Sequence, residues 1–371
     1  MKEIKGVYTS AVIFTDDIED YAAAQIKNIC DNPIFKDSKI RIMPDVHPGK
    51  YCTVGTSMTI KDRVIPYLVG VDIGCGMTCV HLKNKNIELQ KLDAVIAKRV
   101  PSGMKIRGEV HRFAEEAELD LLYCKKNVRK EKALLSLGTL GGGNHFIELD
   151  RAEDGTYYLV IHSGSRHLGV ETAEYYQKAA SLWCREHQEE LPFSSAYVEG
   201  ELFDQYLHDM EIVQKFAALN RACIADEIMK GMKWKELERF DTVHNYISTS
   251  KGTHMLRKGA VSAGKGEDIL IPVNMKEGAL ICVGKGSQEW NESAPHGSGR
   301  IASRAEAQNS HTVSEFKQEM KDIFCSVIGK GTLDEAPFAY RTMETIQSKI
   351  GDTVEINEII RPVYNFKAGA E

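Results

Sequence analysis

The sequence predicts an α+β fold, on three observations. Strand-like and helix-like segments are scattered along the chain without regular β-α-β alternation. Two long stretches repeat apolar residues at helical spacing. The most unusual residue combinations fall in glycine-rich loops between these segments rather than within them.

The elements read in order as follows. Asp16–Cys30 is a first helix with acids at its start. Residues 39–83 alternate short β-branched runs with Gly and Pro, giving strands and tight loops. Glu109–Ser136 is highly charged and reads as helical. Tyr157–Ile161 is a buried strand that delivers His162 at its end. Val170–Glu190 and Glu201–Met232 are amphipathic helices; in the second, Phe203, Leu207, Met210 and Phe216 form a core-facing stripe. Asp268–Val273 and Ala279–Val283 pair as strands. Arg300–Ile328 and Pro337–Ile350 read as helices.

Composition narrows the class. The 371 residues are 43 % hydrophobic and 27 % charged, an ordinary globular balance with ample core. No apolar run reaches ~18 residues, so no membrane span is expected, and Met1-Lys2-Glu3-Ile4-Lys5 opens without a signal-peptide stretch. Nine cysteines without disulfide-style spacing point to a reduced, cytoplasmic compartment. Cys30, Cys184, Cys223 and Cys325 read as small buried hydrophobes. A net charge of −6 excludes coating of nucleic acid by bulk charge but leaves room for a local basic groove.

Five loops carry the chemistry. Val69-Gly70-Val71-Asp72-Ile73-Gly74-Cys75-Gly76-Met77 sets a carboxylate and a thiol three apart among glycines. Leu140-Gly141-Gly142-Gly143-Asn144-His145-Phe146-Ile147-Glu148 follows a triple glycine with Asn, His and Glu. His162-Ser163-Gly164-Ser165-Arg166 ends a strand, and Val243-His244-Asn245-Tyr246 pairs His with Asn. Asp, Cys and three His suffice for two metal ions, which together could clamp both oxygens of a phosphoryl transfer. These ligand types admit Zn²⁺ and equally Mn²⁺.

The fifth loop is Ala294-Pro295-His296-Gly297-Ser298-Gly299-Arg300, continuing to Arg304. A neutral imidazole is a competent nucleophile toward phosphorus and yields a reactive phosphoramidate. Gly297 and Gly299 let backbone amides approach an anion, and the following helix would offer its N-terminus. Arg300 and Arg304, four apart, would share a helical face and grip phosphates. Two look-alikes are set aside. Gly259–Gly266 resembles a phosphate-binding P-loop but lacks the closing Ser or Thr, and Gly297–Ala302 fits a dinucleotide fingerprint without a preceding strand.

Taken together, the loops resemble the RtcB family of 3′-phosphate RNA ligases, which splice tRNA and repair broken RNA. The resemblance runs from Met43-Pro44-Asp45-Val46-His47 to Lys367. It rests on Asp-Ile-Gly-Cys-Gly-Met at 72–77, Gly-Gly-Gly-Asn-His-Phe at 141–146, His-Ser-Gly-Ser-Arg at 162–166 and His-Gly-Ser-Gly-Arg at 296–300. It implies one compact domain over residues 1–371, with mixed sheets surrounded by helices. It implies two Mn²⁺ ions, with Cys75 bridging, Asp72 and His145 on one ion, and His162 and His244 on the other. His296 would be guanylylated by GTP. Asn144, His145, Glu148, His244, Asn245, Pro272, Met275, Gly297, Ser298, Gly299, Tyr340 and Lys367 match guanylate-contacting positions, and Arg166, Arg300 and Arg304 positions that meet RNA phosphates.

The implied reaction joins RNA 3′-phosphate or 2′,3′-cyclic phosphate ends to 5′-hydroxyl ends. A metal-dependent phosphohydrolase that opens cyclic phosphates without joining ends is the alternative. The partner implied is RNA with these ends; the motifs leave the need for an activating protein open. The chain departs from common family members at Pro48-Gly49-Lys50-Tyr51-Cys52, at Pro272-Val273-Asn274-Met275 and at Ala279, and it is shorter; these changes touch the expected nucleotide pocket and its entrance, and a repair-specialised branch is one hypothesis they allow.

Overall fold

The computed structural model describes residues 1–250 and 252–368. Two sheets dominate it. The first has six strands in the order Lys2–Lys5, Ser10–Ile13, Ile40–His47, Val54–Ile60, Thr253–Lys258, Asn245–Ser250. It is mixed: Ser10–Ile13 runs parallel to Ile40–His47, and the other neighbours are antiparallel. The second has seven strands in the order Glu236–Val243, Gly76–Leu82, Tyr157–Ser163, Phe146–Arg151, Val354–Lys367, Gly278–Gly284, Asp268–Asn274, all antiparallel. Strands and helices follow one another without β-α-β regularity, as the α+β expectation requires.

The helix Glu201–Met232 lies where the expectation put it and packs against strands of both sheets. Phe203, Met210 and Phe216 are buried on it, and Leu207 packs at the edge of the same core. Each buried side chain of this size contributes about 1.5–3 kcal/mol. All nine cysteines are unpaired, and among the described residues no helix is long and apolar enough to cross a membrane.

Three expected helices differ. Glu109–Ser136 is mainly short turns (Ala114–Glu116, Leu119–Leu121, Lys125–Asn127) before a seven-residue helix, Lys130–Ser136. The buried Asp209 carboxylate accepts the amides of Tyr123 and Cys124 at 2.8 and 2.9 Å, and this tertiary partner replaces helical hydrogen bonds. Arg300–Ile328 holds two helices of seven residues, Arg304–Ser310 and Val313–Glu319. Each begins with its own capping box, Ser303 with Glu306 and Thr312 with Glu315, so two start signals divide the stretch. Arg300 therefore precedes the helix and pairs with Tyr340 instead of sharing a helical face with Arg304. Within Pro337–Ile350 only Met343–Ile350 is α-helical, with Thr342 as its N-cap.

The other boundaries shift by a few residues. The first helix spans Asp20–Cys30, and the helix expected from Val170 spans Arg166–Glu186.

Candidate metal centre and nucleotide cavity

Two ends of the second sheet's strands and two loops meet at one buried point. Cys75 Sγ lies 3.3 Å from His145 Nε2 and 3.3 Å from His162 Nε2, and His145 Nε2 lies 3.3 Å from Asp72 Oδ2. His244 completes the group. The potential ligand atoms form two sets, Asp72–Cys75–His145 and Cys75–His162–His244, with all atoms of each set within 4.8 Å of one another. Cys75 belongs to both.

The local fold explains the aim of each side chain. His162 ends its strand, and its Nδ1 lies 3.1 Å from the Asn144 carbonyl oxygen. Donation there leaves Nε2 with its lone pair toward Cys75. The His244 amide donates to the Cys75 carbonyl at 3.0 Å, tying the two loops. Gly164 sits against the cluster, where a Cβ would stand 2.1 Å from Asp72 Oδ1, so only glycine leaves room for that carboxylate.

Behind the cluster, the helix Glu201–Met232 turns in two polar residues. Asn220 bonds the amides of Gly138 and Thr139 and reaches the carbonyl of Gly164; buried Arg221 donates to the carbonyls of Gly74 and Ser163 at 3.2 and 3.1 Å. Together they brace three of the loops.

Electrostatics suit cation binding. Burial holds His162 and His244 well below the usual imidazole pKa, so both are neutral donors. Burial would raise Asp72, but the His145 hydrogen bond and charge bring it down to about 2. Burial and the Asp72 charge push the Cys75 thiol well up. Among the described residues, no hydrogen-bond partner meets the buried His145 Nδ1 or His244 Nδ1. Neutral imidazoles, an ionised carboxylate and a thiol awaiting a counter-charge are a fitting donor set for divalent cations.

His296 stands beside this cluster, its ring centroid 4.8 Å from that of His244. Its Nδ1 is 2.7 Å from Asp45 Oδ2, and its amide donates to the same oxygen at 3.2 Å. Asp45 is fully buried in the strand Ile40–His47. The sequence reading quoted Asp45 within Met-Pro-Asp-Val-His but gave it no role. Gly299 permits the turn: its φ is +78°, and a Cβ there would stand 2.4 Å from the Asp45 carbonyl oxygen.

On the other side of His296 opens a cavity of about 540 Å³, within the range for a small ligand. Asn144, Glu148, Pro272, Met275, Gly297, Ser298, Tyr340 and Lys367 line it, as do Gly299, Arg300, Arg304 and His162. Tyr340 donates to Glu335 at 2.5 Å, and Lys367 reaches the same carboxylate at 2.9 Å. Ser298 donates to the Val273 carbonyl at 2.7 Å.

Other expected contacts fall elsewhere. His145 and His244 belong to the metal cluster rather than the cavity wall. Asn245 is also off the wall: it donates to the Asp72 carbonyl at 3.2 Å and accepts the Gly259 amide at 3.0 Å. It braces two loops, with its amide group engaged at both ends. Arg300 is held by Glu335, Tyr340 and the carbonyls of Ala302 and Asp334, and Arg304 by Asp334 and Glu335. Arg166 reaches Thr139 and the Gly103 carbonyl. Arg300 and Arg304 line the cavity and Arg166 does not, and the partners of all three are the protein's own groups. At the helix after Arg300, the capping box meets the amides of Ser303 and Glu306.

The sequence reading missed Asp45, Asn220 and Arg221. For the last two the signal was there: an amide and a guanidinium on the apolar side of an amphipathic helix require buried partners.

A buried Cys–His–carboxylate cluster that could hold cations, a histidine paired with a buried acid and a cavity large enough for a small ligand stand together, an arrangement of the kind found in enzyme active sites. The family model described as tRNA-splicing ligase RtcB matches residues 25–128 and 115–368. The RNA-splicing ligase RtcB of Escherichia coli (strain K12) is 31 % identical over 386 residues, covering 93 % of this chain and 94 % of that protein. RNA-splicing ligase RtcB2 of Escherichia coli (strain ATCC 25922) is 28 % identical over 366 residues, covering 90 % and 88 %. A tRNA-splicing ligase RtcB of Methanococcus maripaludis is 24 % identical over 431 residues, covering 92 % and 89 %. The chain belongs to the RtcB family.

Proposed function

We propose that this protein is a GTP- and Mn²⁺-dependent RNA ligase that joins 3′-phosphate or 2′,3′-cyclic phosphate ends to 5′-hydroxyl ends through a guanylate carried on His296. The observation that carries this reading is the position of His296, between the ligand cluster and the cavity, with Nδ1 held by Asp45. The RNA-ligase activity comes from the family and the names of its relatives.

Asp72, Cys75, His145, His162 and His244 would hold two cations. Bound there, they supply positive charge to phosphate oxygens in transfer. The remaining work belongs to the chain's own groups. Asp45 accepts the Nδ1 proton of His296, which fixes the tautomer and leaves the Nε2 lone pair free. Nε2 attacks the α-phosphorus of GTP, the bond to the bridging oxygen breaks, and pyrophosphate leaves. The imidazole keeps its Nδ1 proton, and buried Asp45 balances the charge of the phosphoramidate.

An RNA 3′-phosphate oxygen then takes the guanylate from Nε2. A 5′-hydroxyl attacks the activated 3′-phosphorus, GMP departs and a 3′–5′ phosphodiester forms. A cyclic phosphate is first opened by water to the 3′-phosphate. Glu148, Tyr340 and Lys367 would hold the nucleotide in the cavity, and Arg166 and Arg304 would guide RNA phosphates to its rim. Nine unpaired cysteines fit work in the reduced cytoplasm.

Incubation with α-labelled GTP and Mn²⁺ tests the reading. The expected product is an acid-labile, base-stable protein–GMP adduct that is absent in His296→Ala. No adduct from the wild type, or an undiminished one in the variant, overturns it. Opening of cyclic phosphates at full rate without GTP, and without joined ends, would make the protein a phosphohydrolase.

A further inference from the structure

The strand Phe146–Arg151 alternates its faces. Ile147 and Leu149 enter one apolar core, while Phe146, Glu148 and Asp150 face the cavity beside His296. Asp150 is 1 % exposed and Glu148 5 %. Glu148 Oε2 accepts the Asn365 side-chain amide at 2.9 Å. Among the described residues, no N–H or hydroxyl group donates to Glu148 Oε1 or to either Asp150 carboxyl oxygen; these oxygens interact only with the other carboxyl of the pair, through a proton held between them. Val160 and Ala279, on the same cavity wall, offer no side-chain hydrogen bond.

The contrast with Glu335, in the same cavity, is informative. Its oxygens are met by Arg300, Arg304, Tyr340 and Lys367. Asp150 has no such cation. Burial, the charge of Glu148 and the hydrogen bond to Glu148 hold its carboxyl well above the ordinary range, and burial lifts Glu148 to about 7 despite the Asp150 hydrogen bond and Lys367. Leaving such groups unmet in a dry site costs stability, and a fold that keeps them offers acceptors to something that enters.

A carboxyl pair that shares one proton still has acceptor oxygens that the described residues do not meet, and these call for a ligand with clustered N–H donors. Among the nucleobases, guanine has three adjacent on one edge, N1–H and the two of its 2-amino group. Adenine and cytosine set their amine beside a ring acceptor, and uracil has one N–H between two carbonyls. We propose that Asp150 is a specificity-determining residue that accepts the 2-amino group of guanine, while the neighbouring Glu148 accepts N1–H. This rests on the reading of the cavity as a GTP site.

Binding and adduct formation with GTP, ITP and ATP test it, since inosine keeps N1–H and O6 but lacks the 2-amino group. The wild type is expected to favour GTP over ITP by about tenfold or more, one well-placed hydrogen bond. Asp150→Ala and Asp150→Val should bring GTP down to the level of ITP, leave ITP nearly unchanged and so collapse the ratio to about one. Asp150→Asn, which keeps an acceptor oxygen, should retain most of the ratio. Both apolar variants remove an unmet acid from apolar neighbours, so their ligand-free melting temperatures should equal or exceed the wild type's.

A GTP-to-ITP ratio near one in the wild type, or an unchanged ratio in both apolar variants, overturns the role of Asp150 while the GTP reading stands on the wild-type adduct. A wild type that binds none of the three nucleotides and forms no adduct overturns both.

Discussion

At the scale of single residues, the cluster is asymmetric in what each ligand serves. Cys75 belongs to both candidate triads, whereas His145 and His244 belong to one each. Metal content after loading with Mn²⁺ and desalting should therefore fall from two ions to about one in His145→Ala or His244→Ala, and to near zero in Cys75→Ala. Equal losses in all three variants would contradict the shared thiolate. Asp45 has a different task. Asp45→Asn keeps size but lets the wrong tautomer of His296 form, and adduct formation should slow by roughly a hundredfold or more, with a near-normal melting temperature. A wild-type rate would remove Asp45 from the chemistry. Cys75 and His296 were legible in the sequence because thiols and imidazoles among glycines are rare outside sites. Asp45 was not, because an acid in a β-branched strand looks the same whether it faces solvent or, as here, a histidine 251 positions away.

At the scale of elements, the site depends on the helix Glu201–Met232 as much as on its own loops. Arg221 and Asn220 replace, from one rigid support, hydrogen bonds that the loops at Gly74, Thr139 and Ser163 cannot make to each other. Arg221→Leu should cost about 2–4 kcal/mol in chemical denaturation, because it strands two buried carbonyls. It should also weaken Mn²⁺ binding by roughly 10–100-fold, as loss of a ligand's support does. A variant that loses stability with unchanged metal affinity would reduce Arg221 to packing. The long helix was legible because its apolar period is sustained over many turns. The stretches 109–136 and 300–328 were not, since their charge suits a helix while tertiary partners and internal caps decide otherwise.

At the scale of the whole molecule, stability and pH are linked through the cavity. Glu148 has an ordinary carboxyl value in the unfolded chain and about 7 in the folded one. Its contribution is therefore present at low pH and is lost as pH rises from the ordinary carboxylate range through 7, by roughly 3 kcal/mol in all. Glu148→Gln should consequently gain on the wild type over that window in ligand-free denaturation curves; curves that stay parallel would show that the acid ionises freely. The α+β class was legible from the scatter of elements. The neighbours within each sheet were not, because strands far apart in sequence pair through contacts that no local pattern records.

One such pairing has a consequence for how the protein is made. The strand Val354–Lys367 lies in the interior of the seven-stranded sheet, between Phe146–Arg151 and Gly278–Gly284. Those two strands are synthesised long before it. Until it arrives, the sheet is split in two, Asn365 is missing from Glu148 and Lys367 from Glu335. In a nascent chain the five residues of the thiol–imidazole cluster are thus all made before Lys367, which belongs to the cavity wall. A chain interrupted before residue 354 would carry all five residues of the cluster but lack the central strand of the sheet and Lys367 of the cavity wall.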